Sequence, residues 1–358
     1  MSRPGVNGRI SARPPRRRRK VTESTERYAR LARLPGVGER GVERLSRARI
    51  VLVGCGTLGG AYAQHLVRMG VGTLVLVDRD VVEEANLGTQ LLFDEDDVRE
   101  MRPKAVAAAR HLEMINSRVR LEARVADLSA GNAREILGGA HLVLDAADNF
   151  EVRFLLNDTA LALGLPWIYT AVTGWAGLVM PVVPGRTACL RCLIPEPPEP
   201  GSLPTCETAG VWAPAAAAVA SAGLTATLRL LLGEAAQPEL HELDFQAGTW
   251  RKIAVNRRAD CPACAGDLPF LEGRRGSQAV RLCGRDMVHL APESPVRLDL
   301  PALADKLREA GTVRLTEYLL HFAAPAGEMY LFPDGRALLK GVTDPGRARA
   351  LYHRFLSG

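Results

Sequence analysis

Between Arg49 and Thr170, short apolar runs alternate with stretches of helical periodicity. "RIVLVG" leads into a helical segment, 58–69, and "TLVLVD" (73–78) is a second strand that ends in an acid. "RPKAVAAARHLEMIN" (102–116) reads as a helix, with Pro103 placed for a first turn. "RVRLEARVAD" alternates as a strand, "AREILGGA" is a short helix, and "HLVLDAAD" (141–148) is a strand ending in two acids. "FEVRFLLNDTALALG" is a helix stopped by Gly164, and "PWIYTA" is a further strand. This β-α-β repetition predicts an α/β fold, a mostly parallel sheet with helices on both faces.

The pattern then changes. "WAGLVMPVVPG" (175–185) and "ELHELDFQAGTWRKIAV" (239–255) are strands without intervening helices, with Gly248 as a hairpin turn. An antiparallel extension of the sheet is expected. "IPEPPEPGSLPTCETAG" (194–210) is rich in Pro, Glu and Gly and reads as a mobile crossing loop. Beyond residue 267 the chain starts again, with a helix at 300–311, strands around an Asp334-Gly335 turn and a last helix from "DPGRARALYHRFL". The expected organisation is a disordered tail (1–20), a main α/β domain (21–267) and a small α+β domain (268–358).

Charge changes this picture only at the start of the chain. The net charge is +6, but residues 1–20 alone hold eight basic residues and no acid, so the remainder is slightly acidic. The run "RPPRRRRK" reads as a solvated leader rather than a nucleic-acid surface. Segment 211–233 is long enough to span a bilayer, but its Ala, Ser, Thr and Gly content with Pro214 and Arg229 predicts a packed interior helix. No apolar stretch follows the paired arginines, so an export signal is not expected and the protein reads as cytoplasmic. There are seven cysteines, at 55, 189, 192, 206, 261, 264 and 283. Without export, metal binding or catalysis is the better default for them than disulfides.

Cysteine spacing carries the most specific chemistry. "CLRC" (Cys189, Cys192) and "CPAC" (Cys261, Cys264) are two C-x-x-C knuckles. Together they supply the four sulfurs of a closed, structural zinc site; the competing reading is buried or redox cysteines. "VLVGCGTLGG" (51–60) places Gly54, Gly56 and Gly59 between a strand and a helix, a phosphate-binding turn. Asp78, at the end of the next strand, stands where an acid meets a ribose. A nicotinamide dinucleotide fits this much. Lys104 opens a helix, where the dipole disfavours a cation unless it meets an anion. Asp148 and Asn149 follow the strand at 141–147, at the ligand edge of the sheet, and Asn86 and Gln90 follow Asp78. A lysine and a second acid suit a nucleoside triphosphate with Mg²⁺, so the set favours ATP.

These pieces resemble, in order, the ThiF/MoeB/HesA family of ubiquitin-like-protein activating enzymes: "ERYAR" (26–30), "VLVGCGTLGG", "VGTLVLVDRD", "ANLGTQLLF", "RPKA", "LVLDAADNFEVRFLLND", "CLRC", "TCETAGVWAP" and "CPAC". The resemblance covers residues 26 to about 266, so 21–267 is expected to be an adenylation domain. It implies adenylation of the C-terminal Gly-Gly carboxylate of a ubiquitin-like sulfur carrier, as in thiamine or molybdopterin biosynthesis. On that reading Gly54, Gly56, Asp78, Asn86, Lys104 and Asp148 bind ATP and Mg²⁺. Arg30 reaches the partner's site in a homodimer, and Cys206 matches a cysteine that links to the carrier. One departure stands out: the family reads N-L-x-R-Q, whereas this chain has "NLGTQ", with Thr89 at the arginine position. Losing a charge-assisted contact there costs about 1.5–3 kcal/mol unless Arg79, Arg99 or Arg102 compensates. The alternatives are a non-catalytic carrier-binding scaffold, which Thr89 motivates, and an NAD-dependent oxidoreductase.

Overall fold

The computed structural model describes residues 25–357 except 200–201, 204, 277–278, 282–286, 291, 293–295 and 326. The basic segment 1–20 and Cys283 lie outside the described residues. The elements are, in chain order, α1 (Thr25–Ala32), α2 (Gly38–Arg47), β1 (Arg49–Val53), α3 (Thr57–Met69), β2 (Thr73–Asp78), α4 (Glu95–Arg99) and α5 (Lys104–Ile115). β3 (Arg120–Val125), α6 (Ala133–Leu137), β4 (Leu142–Asp145), α7 (Phe150–Leu163), β5 (Trp167–Thr173), β6 (Ala176–Val182) and α8 (Leu190–Leu193) follow. Then come α9 (Cys206–Ala209), α10 (Ala213–Leu231), β7 (Glu239–Asp244), β8 (Thr249–Ala254), β9 (Ala279–Arg281), β10 (Met287–Leu290) and α11 (Leu300–Leu307). β11 (Thr312–Leu315), β12 (Leu320–Ala324), β13 (Gly327–Leu331), β14 (Ala337–Lys340) and α12 (Pro345–Ser357) complete the chain.

The chain divides into two compact units. One runs to Pro197 and resumes over Val211–Arg274; the other is Pro198–Gly210 with Arg275–Gly358. Phe270 and Leu271, just past the boundary read from the sequence, are buried in the same apolar cluster as Phe154, and the Phe270 and Phe154 rings lie 5.2 Å apart.

In the first unit eight strands form one sheet in the order β3-β2-β1-β4-β5-β6-β7-β8. The strands from β3 to β5 are parallel; β5, β6, β7 and β8 pair antiparallel. The predicted doubly wound sheet with an antiparallel extension is therefore present. Alternation along β1 sends Ile50 and Leu52 into one apolar layer and Val51 and Val53 into the other. α10 meets the length and composition of a membrane span, yet its Ala215, Ala216, Val219, Ala220 and Leu224 are buried, and it packs on α3 and β6. Its other face is open, which the small residues along it permit.

The order 3-2-1-4-5 reverses direction between β1 and β4, and ligands enter such sheets at that crevice. The turn after β1 closes there. Gly54 has φ +96°, and a Cβ on it would drive into the Ala146 carbonyl oxygen of the loop after β4. Gly54→Ala is therefore expected to cost about 3 kcal/mol or more. Denaturant unfolding measures this, and an unchanged midpoint would mean that turn and loop are not locked together.

In the second unit, an antiparallel sheet runs β11-β12-β13-β14-β10-β9. Val288, Leu320, Phe322, Leu331 and Leu339 pack under Leu300, Ala304 and Leu307 of α11 and Phe355 of α12.

Candidate functional site

The site is built at the carboxyl ends of three adjacent parallel strands, β2, β1 and β4. Gly54 and Gly56 follow β1, Asp78 ends β2, and Asp145 ends β4. Gly56 is the N-cap of α3 and provides no side chain to satisfy the first-turn N–H groups. Gly59 lets α3 come down onto the turn, since a Cβ there would meet the Gly54 carbonyl. The Asp78 carboxylate is fixed by two backbone N–H donors, Cys55 at 2.7 Å on Oδ2 and Asp80 at 2.8 Å on Oδ1. Burial raises its pKa, and Lys104 pulls it back. Burial, then the nearby Asp78 charge, pushes the Cys55 thiol up, so that cysteine is an inert part of the turn.

Lys104 is 3% exposed at the first position of α5, with Pro103 at the N-cap rather than inside the first turn. The sequence argument required an anion for it, and the protein supplies one: Lys104 Nζ lies 3.3 Å from Asp80 Oδ2. Its backbone N–H also donates to the Asp80 carbonyl at 2.8 Å. Arg79 is 9% exposed; burial works against its charge, but Asp127, Asp80, Asp148 and Asp78 outweigh this and raise its pKa. Asp148, like Asp78 and Asp80, is thus near enough to act on Arg79. It is exposed, and the Asn149 amide holds it at 3.0 Å. Asn149 itself caps α7, its Oδ1 accepting from Val152 N–H at 2.9 Å. Beneath this loop Asp145 is fully buried against Arg153 at 3.2 Å, and burial lifts its pKa to about 6 despite the arginine. Asp80, Asp127, Asp145 and Arg153 were not singled out from the sequence, and Arg79 was named only as a substitute for the arginine absent at position 89. The second acid of "DRD" was the available signal for Asp80.

Residues 86–92 lie across the first turn of α3. Gln90 stands over Gly56, Leu92 over Gly60, and the Thr57 hydroxyl donates to that of Thr89 at 3.3 Å. Asn86 is 5% exposed and shapes this segment: its Oδ1 accepts from Glu83 N–H, and its carbonyl accepts from the N–H groups of Thr89 and Gln90. Gln90 Oε1 is buried with no hydrogen-bond partner among the described residues. Of the arginines that stood as substitutes at position 89, Arg102 is taken by Asp97 at 2.7 Å and by Glu100, and Arg99 by Asp96 at 2.6 Å. Arg79 is at the rim but held among four carboxylates.

The two knuckles converge. Cys189 and Cys192 Sγ are 3.8 Å apart, Cys189 and Cys261 3.6 Å, and Cys192 and Cys264 3.6 Å. Ligands at about 2.3 Å from a tetrahedral Zn²⁺ stand about 3.8 Å from one another, so the four sulfurs fit that ion. Burial, then the neighbouring sulfurs, pushes the Cys189 thiol far up, so a thiolate there needs a cation. Arg258 N–H points at Cys192 Sγ at 3.5 Å, and Arg191, within the first knuckle, donates to the Pro195 and Asp267 carbonyls. Zinc, when bound, closes the site without an open coordination position.

Arg30, named from the sequence, is not at the rim of its own chain. Arg30 is exposed on α1, whose Tyr28 packs on Gly70 at the far end of α3. α3 has 13 residues, which makes it about 20 Å long. Arg30 is therefore out of reach of the glycine turn of its own chain. Cys206 opens α9, in the segment that groups with the second unit, and its side chain lies outside the described part.

A strand, a glycine turn and a helix start at the β1–β4 crevice, in a chain that also brings four cysteines together, have counterparts among known proteins. The chain is 42% identical over 336 residues to the sulfur carrier protein ThiS adenylyltransferase of Bacillus subtilis, covering 93% of this chain and 99% of that one. A match of that extent takes in the second unit as well. It is 42% identical over 254 residues to the sulfur carrier protein adenylyltransferase of Thermus thermophilus, covering 69% of this chain and 93% of that one. Among solved structures, Escherichia coli MccB with MccA-N7isoASN superposes with a TM-score of 0.59 at 21% identity, over 68% of this chain and 75% of that one, a likeness of fold. The ThiF family model matches residues 28–263, the span that holds the rim and all four knuckle cysteines but Cys264, and this chain belongs to the ThiF family.

Proposed function

We propose that this protein is an ATP-dependent adenylyltransferase that activates the C-terminal glycine of a ubiquitin-like sulfur carrier ending in Gly-Gly, of the thiamine or molybdopterin type. The observation that carries the reading is the rim at the β1–β4 crevice, where an uncapped helix N-terminus, Asp78, Lys104 and the Asp148 loop come together. The relatives' names supply the substrate class.

Asp78, its two oxygens already oriented by backbone N–H groups, is placed to accept from ribose hydroxyls. The free N–H groups at the start of α3 take phosphate. Lys104 brings positive charge to the rim, and Asp80 holds it there. Asp148, exposed and steadied by Asn149, is the carboxylate suited to Mg²⁺, which binds through one or two carboxylates plus phosphate oxygens. Mg²⁺, when bound, neutralises phosphate charge and helps pyrophosphate leave. A carrier carboxylate oxygen bonds to the α-phosphorus, the bond from that phosphorus to the leaving pyrophosphate breaks, and an acyl-adenylate results. The chain's part is positioning and charge compensation. Arg30, unable to reach its own rim, is assigned to the rim of a second copy, so the working form is a homodimer. The four-cysteine site holds zinc as a staple, and the enzyme works in the cytoplasm.

ATP–pyrophosphate exchange tests this function. Exchange is expected only with a carrier ending in Gly-Gly, and not with the same carrier lacking its last glycine. No exchange with any Gly-Gly carrier, in the presence of bound ATP, would leave a carrier-binding scaffold as the better description.

A further inference from the structure

The missing arginine at position 89 leaves a question about how the rim meets phosphate, and the structure contains a different device at that place. Thr57 is the first residue of α3, where the N–H groups have no capping side chain. Its hydroxyl donates to the Thr89 hydroxyl at 3.3 Å. A hydroxyl carries one hydrogen, and that of Thr57 is thereby used. Thr89 accepts this bond, and its own hydrogen has no acceptor among the described residues. Both side chains are half-buried, and the Thr57 contact orients the Thr89 hydroxyl. Gln90, the next residue, lies over Gly56, and the N–H groups of both Thr89 and Gln90 are held by the Asn86 carbonyl, which sets Thr89 beside the phosphate-binding turn.

We propose that Thr57 and Thr89 form a two-hydroxyl relay whose terminal donor, Thr89 O–H, binds a phosphate oxygen of the nucleotide. The Thr57 bond polarises the Thr89 hydroxyl and strengthens what it donates. A neutral relay thus stands where a cation would otherwise meet the phosphates, and Thr57 is a positioning residue for Thr89. The proposal rests on the nucleotide reading of the rim and goes beyond it by assigning two residues that the glycine fingerprint does not include.

The test is equilibrium binding of Mg·ATP and, by competition, adenosine to the full chain and to Thr57→Ala, Thr89→Val, Thr89→Ser and the Thr57→Ala/Thr89→Val double variant. Thr89→Val keeps the shape and removes the donor. It is expected to weaken Mg·ATP binding about tenfold and to leave adenosine binding unchanged, as fits a hydrogen bond to a charged group. Thr57→Ala is expected to weaken ATP about threefold, the double variant no more than Thr89→Val alone, and Thr89→Ser to bind like wild type. Equal ATP binding by wild type and Thr89→Val would overturn the relay, as would a parallel loss of adenosine binding or additive effects in the double variant. Wild-type protein that bound neither ligand would instead remove the nucleotide reading itself. The melting temperature of each variant, with Thr89→Ser as the folded control, separates loss of binding from loss of structure.

Discussion

Cys261→Ser protein is expected to lose its zinc and about 4 kcal/mol of stability. The four sulfurs already stand at the separations of a tetrahedral site. Cys189, Cys192 and Cys261 are also part of the core layer that holds Trp167, Phe154 and Phe270. Bridging Cys189 to Cys261 closes a segment of 72 residues. On chain-entropy grounds a cross-link over that length contributes about 4 kcal/mol, and metal binding couples directly to folding. For a unit of this size the loss corresponds to a fall of roughly 10 °C in Tm. Metal analysis of the wild type should find close to one zinc per chain, and analysis of the variant almost none. Zinc-free wild-type protein with an unchanged Tm would eliminate the staple.

The second large effect concerns catalysis. Asp148→Asn is expected to lower the ATP–pyrophosphate exchange rate by about 10²–10³-fold, the range seen when one preorganised electrostatic group is removed from a reacting centre. Its Tm should move by no more than about 2 °C, because Asp148 is exposed and the capping of α7 is done by Asn149. The same substitution should raise the Mg²⁺ concentration needed for half-maximal exchange. A variant that exchanged at the wild-type rate would remove Asp148 from the metal site. Lys104→Ala is the less clean experiment, since it would break the Lys104–Asp80 contact and leave Asp80 to Arg79 as well as removing charge from the rim.

The parts legible in the sequence were those set by backbone requirements. β1, the glycine turn and α3 follow from an apolar run meeting residues that only close backbone approach explains. The knuckles follow from spacing alone, although their convergence across 72 residues is a tertiary fact. Gly248 between β7 and β8 and Gly335 between β13 and β14 sit at positive φ, as their turns demand. What was not legible depends on which side chains face each other across elements. Asp80 is adjacent to an acid already assigned, and nothing local reveals that Lys104, 24 residues on, folds back onto it. Asp145 and Asp148 end the same run, yet one is buried under Arg153 and the other is open, a difference made by the loop rather than by residue type. The short helix α4 was missed because its signal is an Asp94–Asp97 capping box without an apolar stripe. Thr89 read from the sequence as a loss; its contact with Thr57 appears only when 86–92 is laid over α3.

The contact between Gly54 and the Ala146 carbonyl has an evolutionary consequence. Two backbones that touch without intervening side chains cannot drift apart by small substitutions, so the spacing of the rim is inherited as a unit. Divergence is then channelled into the residues that decorate this fixed frame. On the relay proposed above, the threonines at 57 and 89 belong to that decoration, free to change while every strand, turn and helix start stays where it is.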